Sequence, residues 1–225
     1  MNLEPGDILL FADKGHWSMV SISQGVTRLN PVIWYKSRRG SIYTNHAAII
    51  FNTIIDKFAK VSRTKMAHAV NSGVDRTEVP TNFRSGPYGG YIVFRLNANY
   101  KDYAIAAGQV AEIWTRGGSE NMPYAHWHKV MSPGFHNSDF GSGAKTRAQH
   151  YVNHKNTIGG PAGFKDGTKK SMFCSMFVIA CYQAALGEAM SGFLMALDAK
   201  HTSPMKLESY LYSNSHWEFI GTSED

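Results

Sequence analysis

The order of elements along this chain predicts an α+β fold: strand, helix, several strands, helix, a long loop, one strongly apolar helix and a final strand. Three observations carry that expectation. Compact β-type runs stand at Ile8 to Phe11, His46 to Phe51, Lys65 to Val70 and Tyr91 to Leu96. Helical spacing appears at Tyr103 to Trp114, where Ala106, Ala107, Val110, Ala111 and Trp114 share one side. Ser171 to Leu186 is the strongest helical segment, and Gly187 follows it as a C-terminal stop.

Taken in order, Pro5-Gly6 supplies a turn into the first strand. Ser18 to Leu29, with Met19, Val20, Ile22, Val26 and Leu29, fits a short amphipathic helix. A basic, aromatic loop runs from Asn30 to Thr44, and Asn71-Ser72-Gly73 closes the third strand with a turn. Gly117-Gly118 ends the helix that begins at Tyr103. From Pro123 to Lys170 the chain is rich in Gly, His, Asn, Ser and Lys, so a long functional loop is expected there, with a short helix near Ala144 to His154. Ser203-Pro204 opens a helix from Met205 to Leu211, and His216 to Ile220 is the last strand. There is no internal repeat. One catalytic domain spanning 1–225, with an insertion at about 121–170, is the resulting organisation.

At 43% hydrophobic and 18% charged residues the 225-residue chain has enough apolar surface for a core, which excludes wholesale disorder. A net charge of +6 biases it towards polyanions such as wall polymers, nucleic acid or anionic lipid. The basic residues are scattered, in pairs such as Arg38-Arg39 and Lys169-Lys170, so a solvated surface is favoured over a nucleic-acid arm. The chain opens Met-Asn-Leu-Glu-Pro, with neither a basic n-region nor an apolar h-region. The expectation is therefore a protein without an ordinary secretory signal, cytoplasmic in its producer. Met172 to Leu186, the longest apolar run, is short for a bilayer span and reads as a core helix without stable membrane insertion.

The two cysteines, Cys174 and Cys181, lie on one helical face about 10 Å apart, too far for a disulfide. Ser171 is placed to cap the helix from its side chain, which would set Cys174 in an exposed first turn. The positive end of a helix favours thiolate, so Cys174 is a candidate nucleophile, whereas Cys181 reads as a small buried hydrophobe. A thiolate nucleophile needs a base and a group that orients the base. His46, opening an apolar strand, and His68, on the next strand, are positions that neighbouring strands could bring together.

Gly6-Asp-Ile-Leu-Leu-Phe11, Asn45-His-Ala-Ala-Ile-Ile50, Ala67-His-Ala-Val70 with Gly73-Val74, Cys174-Ser-Met-Phe-Val178 and Thr202-Ser-Pro204 follow one another in a telling order. That order resembles the NlpC-like, circularly permuted papain-fold cysteine hydrolases, a superfamily shared with YiiX-like and lecithin:retinol acyltransferase-like proteins. The resemblance covers most of the chain and fails chiefly over 121–170. It implies an antiparallel sheet packed against helices, with Cys174 as nucleophile, His46 as general base and His68 as the orienting residue. Many bacterial relatives carry glutamate at this third place. The Cys174 backbone N–H is then one oxyanion donor, and Tyr124, from its place before the inserted loop, and Asp7 are candidate oxyanion or substrate contacts. No cofactor is implied.

Members of the superfamily act on peptidoglycan peptides, other amides, or lipid esters and amides. A basic chain without the terminal apolar anchor of several lipid-acting relatives fits peptidoglycan best. A wall substrate then calls for export by a dedicated secretion system or delivery as an antibacterial effector into a target periplasm, with an immunity or secretion protein as the expected partner. Lipid acyl transfer is the alternative within the superfamily. Two rivals lie outside it. A metal site could draw on His126, His128 and the i, i+4 pair His150 and His154, but Tyr151 stands where the zinc-protease helix has glutamate. A basic, non-enzymatic nucleic-acid or membrane module would explain the charge but neither Cys174 nor His46.

Overall fold

The computed structural model describes residues 1–13, 44–56, 61–80, 88–116, 118, 122–125, 137–161 and 171–223. The anticipated helix at Ser18 to Leu29, the basic pairs, His126 and His128 lie outside them. The strands are β1 (Ile8–Asp13), β2 (Thr44–Asp56), β3 (Val61–Val70), β4 (Gly73–Glu78), β5 (Tyr88–Leu96) and β6 (Trp217–Thr222). The helices are α1 (Lys101–Thr115), α2 (Ser142–Asn153), α3 (Cys174–Leu194) and α4 (Pro204–Ser213). The strands form one six-stranded sheet in the order β4-β3-β2-β1-β5-β6. Every neighbouring pair is antiparallel, so the fold is α+β.

Both faces of the sheet are buried, which is why β1 is a continuous apolar run rather than an alternating one. Ile8, Leu10, Ala47, Ile49, Ala67, Ile92 and Phe94 join the helices in one core cluster. Leu9, Phe11, Ala48, Ile50, Met66, Tyr91 and Val93 form another on the reverse face. α3 runs through the first cluster and is mostly buried, although its length and apolarity would suit a membrane span. At Gly187 (φ 72, ψ 175) the helical path breaks, as expected of a stop, but the chain re-enters a helix to Leu194. α2 matches the short helix anticipated inside the long loop, and Ser203 caps α4 by accepting from the Lys206 N–H at 3.3 Å.

The clearest departures from the sequence expectation are in β4 and β2. β4 carries Asp75, Arg76 and Glu78 with Val74 as its one apolar side chain, because it is an edge strand whose outer half is exposed. Charged edges discourage pairing with other chains and leave no apolar alternation to read. β2 continues beyond Phe51 to Asp56 because β3 pairs with it as far as Val61.

The turn before β1 is fixed by a charged network. Gly6 has φ 93, and a Cβ there would meet the Ala104 carbonyl oxygen at 2.4 Å, so only glycine allows α1 to pack this closely. Asp7, 1% exposed, accepts from Arg95 Nε and Nη2 at 2.7 Å each, while Arg95 Nη1 reaches Glu4 at 2.9 Å. Burial raises the Asp7 carboxyl above its ordinary range and Arg95 only partly reverses this. Removing the partner of a buried charge is the costly change, so Arg95→Ala should destabilise by about 3–5 kcal/mol. Urea unfolding checks it: Asp7→Leu with Arg95→Met together should cost less than Arg95→Ala alone, and the reverse ranking would refute the pairing argument.

Candidate active site

The approach to α3 is tied down by backbone. Ala125 N–H donates to Met172 O and Met172 N–H to Pro123 O, both at 3.1 Å, while Val74 N–H donates to Met122 O at 2.8 Å. The segment 122–125 is thus held between β4 and the residues preceding Cys174. Phe173 is the N-cap, extended at φ -99 and ψ 169, with no side-chain cap. The N-cap position is thus Phe173 rather than Ser171, because the helix begins at Cys174 itself.

Cys174 stands in the first turn as anticipated, but it is 1% exposed rather than open to solvent. Burial pushes its thiol up to about 11, outweighing the opposite influence of the Ala47, Ser175 and Cys174 backbone N–H groups. At rest the group is a thiol. Cys174 and Ala47, the residue after His46, belong to the same core cluster, so α3 brings its first turn to the face of β2 that carries Ala47. Cys181 lies deeper in α3, also a free thiol, and burial pushes it well above its ordinary value.

His46 and His68 are brought together as the strand order suggests. His46 Nε2 and His68 Nδ1 are 2.9 Å apart, with ring centroids 5.0 Å apart and planes at 71°. One imidazole donates and the other accepts. His68 Nε2 lies 3.4 Å from Thr77 Oγ1, so a polar line runs across β2, β3 and β4. Phe11 of β1 pairs with His46, and their ring centroids are 5.7 Å apart, so an aromatic ring packs against this imidazole.

The register also shows how the site straddles the sheet. His46 pairs with Phe11 and His68 with Ala48, both residues of the reverse-face cluster, whereas Cys174 belongs to the α3 face. At this end β2 no longer follows ideal pairing: its register against β1 shifts between Phe11 and Ala12, bringing Thr44 opposite Ala12.

Burial lowers both imidazoles. His46 falls well below its ordinary value, with His68 adding to the effect, and His68 falls to about 4, with Asp75 pulling it back upward. Both are neutral near pH 7. Between about pH 6.5 and about 4 the unfolded chain binds a proton at His68 that the folded chain does not. Stability is thus present above about 6.5 and lost on acidification towards about 4. For His68 the loss amounts to about 3 kcal/mol, and His46 acts in the same direction. Melting temperature against pH should fall through this window and fall less steeply in His68→Asn. A flat wild-type profile would contradict neutral buried imidazoles.

Tyr124 is half-buried against the helical core cluster, and its backbone bridges Met172, two residues before Cys174. The structure therefore brings it to the segment that leads into Cys174. Asp7 is not brought there. It precedes Ile8, at the opposite end of β1 from Phe11 and His46, and its carboxylate is engaged by Arg95. The two features that sequence reasoning missed, the Ala47 N–H and Thr77, carry no motif, since one is a main-chain atom and the other an edge-strand threonine. His150 and His154 share a helix face as spaced, with ring centroids 4.3 Å apart, and His154 Nδ1 lies 2.8 Å from the His150 carbonyl. Among the described residues no group of three or more His, Cys, Asp or Glu is arranged to hold a metal ion. The chain matches no protein-family model, no curated protein and no solved structure.

Proposed function

We propose that this chain is a cysteine-dependent amide hydrolase with the circularly permuted papain-like fold of NlpC-like enzymes. Its substrate on this reading is bacterial wall peptide, and its setting that of an exported antibacterial effector. One observation carries the reading. A first-turn cysteine shares a core cluster with Ala47, the residue after His46, and His46 is hydrogen-bonded to His68.

The resting charges dictate the chemical order. With the thiol raised and the imidazoles lowered, no preformed ion pair is stored. His46 takes the Cys174 proton as sulfur attacks the carbonyl carbon, acting as general base within that step. His68, in contact with His46 Nε2, fixes the ring and its tautomer. As the carbonyl becomes an oxyanion, the N–H groups of Cys174 and Ala47 are the donors at hand. His46 then protonates the leaving amine, and water releases the acyl group from sulfur.

Purified protein incubated with bacterial sacculi should release peptide fragments, with mass analysis identifying the cleaved bond, and Cys174→Ala should release none. Intact sacculi alongside Cys174-dependent cleavage of phospholipid or acyl-thioester would move the substrate to lipid while keeping the chemistry. Expression with and without an added periplasmic signal tests the effector setting, and equal harmlessness in both would count against it.

A further inference from the structure

One short buried segment touches both elements that carry the proposed chemistry. Ser175, the residue after Cys174, donates its hydroxyl to the Thr202 carbonyl at 2.7 Å. Six residues on, Glu208 accepts from the hydroxyl of Thr44, two residues before His46. Ser175, Thr202, Ser203, Glu208 and Thr44 are all at most 5% exposed. The segment is itself anchored. Thr202 Oγ1 donates to the Asp198 carbonyl at 2.7 Å, Asp198 is bound by Arg147, and Gln183 Nε2 holds the Leu197 carbonyl at 2.7 Å.

We propose that residues 202–208 form a clamp that sets the spacing of Cys174 and His46, with Glu208 as a positioning residue acting through Thr44. The inference rests on the Cys174–His46 reading. Burying a carboxylate is costly, and an apolar residue would fill the same place in a helix-to-strand contact more cheaply. What an apolar side chain cannot do is hold the start of β2 by a directional bond. That start needs holding: Thr44 sits where the pairing of β2 with β1 shifts register, so the ladder alone does not fix the strand leading into His46. Cys174 lies on the α3 face of the sheet whereas His46 pairs with Phe11 of the reverse face, so an element bonded next to both can set their separation.

The test uses Glu208→Leu, Glu208→Gln and Thr44→Val in the full chain. Readouts are sacculus turnover, melting temperature, and iodoacetamide labelling of the Cys174 peptide by mass spectrometry from neutral to alkaline pH. Misplacing reacting groups by an ångström can cost ~100-fold. Glu208→Leu and Thr44→Val should therefore lose about 10- to 100-fold in kcat with little change in KM, and should shift the pH profile of Cys174 labelling. Glu208→Gln keeps an acceptor for Thr44 and should stay within about threefold, and the Thr44→Val/Glu208→Leu double variant should be no worse than either single one. If Glu208→Leu does not fold, Thr44→Val, which removes one hydroxyl at constant shape, decides. Folded variants with the wild-type labelling profile and kcat would overturn the clamp, whatever their melting temperature. A shifted labelling profile in a protein that leaves sacculi intact would support the clamp and remove only the wall substrate.

Discussion

Cys174→Ala is expected to eliminate turnover, a loss on the order of 10⁵- to 10⁶-fold, while Cys181→Ala keeps activity within a few-fold. The contrast arises from place within one helix. Cys174 is the first residue of α3, where backbone groups of Ala47, Ser175 and Cys174 work against the effect of burial on the thiol, whereas no polar influence opposes burial at Cys181. Because Cys174 is itself buried, its removal also leaves a small void, so a stability loss of about 1 kcal/mol should accompany the catalytic one. Circular dichroism melting separates the two effects, since that loss of stability cannot explain complete inactivation. An electrophilic probe that labels Cys181 and spares Cys174, with activity lost in parallel, would reverse the assignment.

The legibility of this fold follows the range of the interactions involved. β1, the first half of β2 and α3 were readable because each is an apolar run whose period or continuity reports its own burial. β4 was not, because a charged edge strand pairs through backbone and buries almost nothing. The site divides in the same way. The order of His46, His68 and Cys174 is a sequence property, and the imidazole pairing follows once β2 and β3 are adjacent. The state of the thiol is not local. A helix terminus alone argues for thiolate, but burial against β2 and the core overrides it, and that burial comes from residues more than a hundred positions away. Asp7 shows the converse. As part of a Gly-Asp strand it suggested a substrate contact, whereas its partner Arg95, 88 residues distant, makes it an ion pair at the far end of β1.

His46→Ala should match the Cys174 defect, because the resting thiol cannot lose its proton near neutral pH without a base beside it. His68→Ala should lose less, about 10- to 100-fold, since it removes a neutral orienting partner and leaves base and nucleophile in place. His68→Glu is the sharper variant. A carboxylate facing His46 Nε2 favours imidazolium, which opposes the lowering that burial imposes, and an imidazolium beside the sulfur in turn favours thiolate. The pH profile of Cys174 alkylation should therefore move to lower pH in His68→Glu, and activity should survive if the carboxylate is held in the same line. Fully active His68→Ala would show that another residue orients His46. An unmoved alkylation profile in a folded His68→Glu protein would break the chain of influence from His68 through His46 to Cys174.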